Sequence, residues 1–533
     1  MIRKSWPFWL GGLFIAWVFD FLFWQKTQGI SIFIWVGLVL LIGVFLLLSE
    51  KVKPAWQNIL LMTGIIGMAF FMALRSEPFT RFLAFCVTFG LLFLLTFSYQ
   101  KAYWVGFRVR DYVVAFCQMV GGMFSRGINL LSSNKMNRAT QQKEAEQENP
   151  PRSSGKTIGS ILLGIGITIP ILAILMALLA SADLAFANQL NKIIQSLHLE
   201  KLPEWIFRVV YIIVLAYFIV GLWLHAGFPK KPETTETSKN PEKPFLGWIA
   251  TMIPMTSIVI LFMVFVVVQF KYLFGAQTNI SVEGFTYAEY ARRGFFELLA
   301  TAVITLGIDL IFSAISSRTG KTQEGIFTGL RVAVMALVLV ILASAIERLT
   351  LYENAYGFSR IRTWSHVFIF WLGGLIIATI VLILLKKTRF FGLAVIITIF
   401  GYSTSLAVIN VDGFIARQNI QRAQIGYELD RGYLASLSQD AVPVLVSEFS
   451  AMNIPQDIKD VLGADLACRW ELALDSNKIP WQSFHIGNVI GQNLLSGIKG
   501  ELAKYPVAQS NGDYSVHVGS VEYPCYYMSH PDE

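Results

Sequence analysis

The sequence has few of the residues from which active sites are built. Its 533 residues include four cysteines, Cys86, Cys117, Cys468 and Cys525, and no two of them form a CxxC pair. A cysteine-rich metal or redox centre is therefore excluded. The six histidines, His198, His225, His366, His485, His517 and His530, are scattered without ligand spacing, and no HExxH occurs. There is no phosphate-cradling glycine loop ending in Lys and Ser or Thr, and no G-x-S-x-G nucleophile turn. No catalytic, cofactor-binding or metal-binding residue is assigned, no cofactor is expected, and the chain reads as a non-enzyme. Charge is scarce too: Asp, Glu, Lys and Arg together make up 15% of the chain. A soluble domain of this length carries far more.

What fills the chain is apolar. Hydrophobic residues make up 55% and aromatics 14%, the composition of an integral membrane protein. About 20 apolar residues cross the hydrocarbon layer as a helix. Eleven stretches qualify: 6–24, 29–48, 56–74, 79–98, 157–180, 205–227, 247–270, 294–315, 326–346, 364–385 and 391–409. Lipid offers no partner to bare backbone, and runs this continuous are helices and not barrel strands. The fold class expected is an all-α polytopic membrane protein with a small, mainly helical C-terminal domain outside the cytoplasm.

Lys and Arg set the orientation, because short cytoplasmic loops retain them. With the N-terminus inside, the inner segments hold 22 basic residues and the outer connections 11. An odd helix count then puts the C-terminus outside. The net charge of +8 is a topology signal and does not call for nucleic acid, since the tail from Asn410 has 15 acidic and 8 basic residues. Met1 to Lys4 and the apolar run after them imitate a secretory signal, but Asp20 and a row of aromatics stand where a cleavage site would be, so this is an uncleaved first helix.

The chain divides at its polar stretches. Residues 1–100 form a first block of four helices. Residues 101–156 combine an amphipathic helix on the inner leaflet, with Arg108, Asp111, Gln118, Ser125 and Asn129 on one face, and a linker of disordered composition. Residues 157–227 hold two helices, 228–246 a second polar linker, 247–409 five helices, and 410–533 the tail. Within the tail, short helices are expected over 413–423, 439–451, 457–474 and 484–502, and a strand or two in the last twenty residues. Cys468 and Cys525 share the tail and are candidates for a disulfide in a non-reducing compartment.

Charge inside the membrane is costly, so its placement is informative. Asp20, Arg208, Asp309 and Arg331 lie within helices. Asp309 and Arg331 sit at matching depths on either side of a short loop, which predicts an ion pair fastening a hairpin. A second concentration lies at the outer ends of the helices. Tyr287, Glu289, Tyr290, Arg292, Arg293 and Glu297 precede or open the helix at 294–315, and Glu347, Arg348, Tyr352, Glu353, Tyr356, Arg360 and Arg362 lie in or beside the connection 347–363. Anchoring to headgroups needs Tyr and a few Arg. Carboxylates interleaved with Arg point instead to a paired network, an outer collar able to dock the tail, a ligand or a partner.

Three motifs, "YAEYARRGFFELLA", "LYENAYGFSRIR" and "NVDGFIARQNIQRA…YELDRGYLASLSQDAVPVL", resemble the bacterial membrane-protein family of domain of unknown function 4173, which is related to domain of unknown function 4153. The resemblance implies a multi-helix bacterial envelope protein, marks Asp412, Asn419, Asp430, Tyr433, Asp440 and Pro443 as family features, and names no catalyst. The expected function is a non-enzymatic signalling, regulatory or assembly component embedded in the bilayer and binding an envelope partner or ligand at its outer face. A secondary transporter is the alternative, with Pro170, Pro254, Asp309 and Arg331 as its material. A membrane-embedded transferase would need Glu289, Arg293 and Glu353 to converge on an anionic headgroup.

Overall fold

A computed structural model describes residues 6–125, 201–228, 246–273, 294–475, 480–510 and 513–525, with isolated helical residues at 168 and 179. Nine helices among them are long and apolar enough to cross a membrane. In chain order these are α1 (Trp6–Phe23), α2 (Ile30–Ser49), α4 (Pro78–Ser98), α5 (Leu202–Gly227), α6 (Trp248–Leu273), α7 (Phe295–Ile315), α8 (Lys321–Tyr356), α9 (Arg360–Leu384) and α10 (Phe391–Ile409). The stretch expected at 56–74 is α3 (Asn58–Leu74), apolar but only 17 residues long. The span expected at 157–180 and the two polar linkers lie outside the described residues, apart from those isolated positions. Exposed side chains on the long helices are apolar, as with Leu41, Phe45, Val267 and Phe370. A multi-pass protein embedded in lipid presents that surface.

The chain separates into two compact units. The smaller comprises residues 1–21, 42–51 and 118–225. In it α1 and α5 approach closely where Gly12 faces Ala216 and Val220: a Cβ on Gly12 would lie 2.6 Å from a Val220 methyl. Small residues allow that contact between membrane helices. Lower on the same pair, Arg208 Nε donates to Asp20 Oδ1 at 2.9 Å, its Nη2 donates to Asp20 Oδ2, and the Tyr211 hydroxyl donates to the same carboxylate. Asp20 is thus a buried, fully engaged acceptor, and the two intramembrane charges 188 residues apart are one ion pair.

The larger unit contains residues 22–41, 52–117 and 226–533. Buried aliphatics of α6, α7, α8 and α9 form one core, including Met255, Leu298, Ala302, Met335, Leu342 and Ile376. Helix α8 has 36 residues, about 54 Å at 1.5 Å per residue, well beyond the roughly 30 Å of hydrocarbon. Its apolar section is flanked by polar residues at both ends, Lys321 to Glu324 at the start and Glu347 to Tyr356 at the end. A left-handed Gly357 (φ +80°) ends it and turns the chain into α9.

After α10 the chain bends at Asn410, which is left-handed (φ 56°) and caps α11 (Val411–Gln424) by accepting from the Gly413 amide at 3.2 Å. The C-terminal segment continues through α12 (Arg431–Ala435), α13 (Val442–Phe449), α14 (Gln456–Asp475), α15 (Ile486–Gly497) and α16 (Lys499–Leu502). It ends in an antiparallel sheet ordered β1 (Val507–Ser510), β2 (Asp513–Val518), β3 (Val521–Pro524). Two strands, β2 and β3, lie in the last twenty residues where one or two are expected from sequence, while β1 just before them and the helix α12 are not announced by the sequence pattern. Cys468 on α14 is bonded to Cys525, just after β3, with Cα atoms 5.4 Å apart. The core of this segment is continuous with the membrane helices, since Leu406 of α10 belongs to the same buried cluster as Ile415, Leu434, Leu445, Leu462 and Val516.

Candidate functional site

Where α9 begins and α10 ends, one polar network ties the C-terminal segment to the membrane helices. Its first centre is Asp412, fully buried in the first turn of α11. Arg360, at the start of α9, makes a two-pronged contact with it, Nε to Oδ1 at 2.8 Å and Nη2 to Oδ2 at 2.7 Å. The Ser438 amide donates to Asp412 Oδ2 at 2.7 Å. A carboxylate this deep needs such a partner, because an uncompensated buried charge is strongly destabilising. Arg360 also donates its amide to the Tyr433 hydroxyl at 2.7 Å and Nη2 to the Ser436 carbonyl at 3.0 Å. Two turns further along α11, Asn419 clips the α8–α9 connection: its Oδ1 accepts from the Phe358 amide at 2.8 Å and its Nδ2 donates to the Phe358 carbonyl at 3.0 Å. Glycine is required at 357, where a Cβ would meet Asn419 Oδ1 at 2.9 Å.

The second centre is Asp440, also buried. Its Oδ2 accepts the Ser76 amide at 2.7 Å and the Glu77 amide at 3.0 Å, capping the turn between α3 and α4 from outside. Glu77 in turn caps α4, accepting from the Phe79 and Thr80 amides at 2.9 and 2.7 Å. Asn410 Nδ2 donates to the Asp440 carbonyl at 2.8 Å, and Arg75 Nε donates to the Ala407 carbonyl at 2.6 Å. Burial pushes the Asp440 carboxyl above the ordinary carboxylate range, against the pull of the two amides and Arg75. From behind, the strand of chain between the two centres is held by Arg469, whose guanidinium donates to the carbonyls of Leu434, Ala435, Leu437 and Ser438 and pairs with Asp465 at 2.8 Å.

Near Arg81 lies His485, buried and held by burial and that cation at a pKa of about 4, so the ring is neutral near pH 7. Arg81 Nη2 donates to the Gln28 carbonyl at 2.8 Å. In this interface the buried atoms Ser76 Oγ, Thr80 Oγ1, Arg81 Nε, Asp440 Oδ1, Ser483 Oγ and Asn488 Oδ1 have no protein hydrogen-bond partner. Such atoms take ordered water or a small polar ligand.

Of the collar expected from sequence, Tyr287, Glu289, Tyr290, Arg292 and Arg293 lie outside the described residues. Glu297 is exposed in the first turn of α7, and Glu347 is exposed on α8. Arg348 is buried, donating to Gln269 Oε1 at 3.1 Å, and Ser344 donates to the same oxygen at 3.0 Å. Glu353 is buried and pairs with His366 at 3.2 Å. Tyr352 carries the Arg362 guanidinium over its ring, 4.0 Å from the centroid, and meets Tyr356, which is exposed. Arg362 also donates to the Gly357 carbonyl. Arg360 turns inward to Asp412. In the sequence Arg360 reads as one of the collar cations, and no local pattern connects it to Asp412, 52 residues on. Within the membrane, Arg331 Nε and Nη2 meet Asp309 Oδ1 and Oδ2, each at 2.7 Å, joining α7 to α8.

The motif residues of the tail all have work in this network or beside it. Asp412, Asn419 and Asp440 bind the membrane-helix connections, Tyr433 receives Arg360, Asp430 caps α12 by accepting from the Tyr433 amide at 2.9 Å, and Pro443 occupies the first turn of α13. No cluster of metal-ligating side chains occurs among the described residues.

A family model described as Domain of unknown function (DUF4153) matches residues 59–448. The match runs from α3 to α13 and so encloses both centres and all six motif positions. It places the chain with domain of unknown function 4153 and does not show the related 4173 assignment. No curated protein and no solved structure matches the chain.

Proposed function

Since the chain belongs to the family of domain of unknown function DUF4153, we propose that it is a non-enzymatic component of a bacterial cell envelope, with its N-terminus in the cytoplasm and its C-terminal segment outside. In this reading the segment is a binding module for an envelope protein or ligand, and the membrane helices carry and orient it. The observation behind the proposal is the network through Arg360, Asp412, Asp440 and the 75–77 turn. The charged and amide side chains of the motif residues are spent on internal contacts that fix the module to the helices, which is what a scaffold or receptor requires. Beside that anchor, Tyr356 and Tyr427 remain exposed, with Arg362 stacked on the neighbouring Tyr352 and Arg422 stacked on Tyr427. Tyr and Arg are the residues that dominate binding energy at protein interfaces. The Cys468–Cys525 bond favours an oxidising compartment for the same segment.

A photo-crosslinking amino acid placed at Tyr356 or Tyr427 in living cells tests this. The proposal expects discrete protein adducts at both positions, absent when the same group is at lipid-facing Phe370 or Leu41. No adduct at either tyrosine, together with solute flux by the purified chain in vesicles, would replace this reading with that of a transporter.

A further inference from the structure

Helix α15 carries an apolar face that the rest of the described chain leaves partly open. From Pro480 to Gly497 the sequence contains no Asp, Glu, Lys or Arg. Gly487, Gly491 and Leu495 turn inward, with Gly491 close against Val442 of α13. The other face presents Val489, Ile490 and Leu494, and the turn before the helix presents Trp481 and Phe484, all between 38% and 47% exposed. A run of large exposed apolar groups on a soluble surface marks a contact with something else.

Its height relative to the membrane helices is fixed by hydrogen bonds and close approaches. The Ile30 amide, first residue of α2, donates to the Phe484 carbonyl at 2.8 Å. Gly29 lies so near Ser483 that a Cβ on it would sit 2.5 Å from the Ser483 carbonyl carbon. The His485 ring lies near the backbone at Gln28 and at Met72, the latter inside α3. A Cβ on Gly487 would sit 2.7 Å from the Leu74 carbonyl at the end of α3. The start of α15 is therefore level with the last turn of α3 and the first of α2, where a bilayer changes from acyl chain to headgroup. The outward faces of α2 and α3 just below are apolar too, with Phe33 and Phe70 in ring contact at 5.9 Å.

We propose that α15 and the turn before it lie in the headgroup layer, with Trp481, Phe484, Ile490 and Leu494 against lipid, so that the C-terminal segment rests on the bilayer as well as on the helices. Interfacial helices bury an apolar face about 5–10 Å into the boundary region, and Trp favours that depth. The face stands at the level where α2 and α3 end, which is why lipid and not a second protein is the occupant.

The full chain carrying Cys86→Ser and Cys117→Ser, with Leu494→Cys or, separately, Val489→Cys labelled by an environment-sensitive fluorophore, tests the proposal. It is held one copy per nanodisc of phosphatidylethanolamine and phosphatidylglycerol in a three-to-one ratio, and a thiol count showing the Cys468–Cys525 bond intact verifies folding. A label at exposed Gln456 serves as the aqueous reference. Quenching by iodide should be at least threefold weaker at 494 and 489 than at 456, and a lipid with a spin label near the headgroup should quench the first two alone. Equal iodide access at all three sites would overturn the proposal. So would protection from both quenchers at 494 and 489, which would mean that protein covers the face.

Discussion

His485 and Asp440 both belong to the buried interface around Arg81 and respond to acid in opposite directions. The pKa of His485 falls to about 4 from 6.5, so the folded state favours the neutral ring. Its contribution is complete above pH 6.5 and is lost as pH falls from there toward 4, a loss of roughly 3 kcal/mol by linkage. Asp440 is raised above its ordinary 3.8, so its contribution is present below that value and lost as pH rises through the folded value. Replacing His485 with Gln should flatten the decline in thermal stability between pH 6.5 and 4, measured on detergent-solubilised chain. Asp440→Asn keeps an acceptor for the Ser76 and Glu77 amides and should be tolerated, whereas Asp440→Ala should cost about 1–3 kcal/mol. In the membrane, removing Asp309 or Arg331 alone leaves a buried unpaired charge and should cost about 3–5 kcal/mol, more than removing both. A double-mutant cycle on unfolding reads that difference. The pairing of these two residues is legible in the sequence, because a short loop joins helices that carry them at equal depth. Asp20 and Arg208 give no such sign: 188 residues apart, they are two isolated charges until the helices pack.

At the level of elements, the sequence announces membrane helices well, since twenty apolar residues in lipid have one stable form. It announces their polar ends poorly. Arg360 reads as one more interfacial cation beside Arg362, yet it is the pin that joins α9 to α11, and nothing in a local pattern links it to Asp412. The tail motif stands out only as a cluster of Asp, Asn and Tyr, and the partners of Asp412, Asn419 and Asp440 lie 52, 61 and 364 residues away in Arg360, Phe358 and Ser76. Arg360→Ala should destabilise the chain by about 3–5 kcal/mol by stranding Asp412. Arg360→Lys should recover only part of this, because an ammonium cannot make the two-pronged contact. Comparing unfolding midpoints of the wild type, R360A and R360K orders the three. Equal midpoints for R360A and the wild type would remove the pin from the account.

For the larger unit, a C-terminal segment that shares a core with membrane helices differs from a separate trailing domain. Leu406 in the tail's core, the Asn410 bend and the two buried carboxylates all favour the shared core within that unit. Orientation is a separate expectation that charge bias alone carries. A reporter active only outside the cytoplasm should function when fused after Glu533 and be silent in the loop 228–246, and the reverse pattern would invert the topology. The docking of the tail is tested most directly by a spin-label distance in nanodiscs. Labels at Ser447 on α13 and Tyr356 at the end of α8, in a background lacking Cys86 and Cys117, read the separation of the C-terminal segment from the membrane helices. One narrow distance distribution in the wild type, broadening when Asp412 and Asp440 are both replaced by Ala, is the predicted result. A broad distribution in the wild type, unchanged by those replacements, would contradict the account.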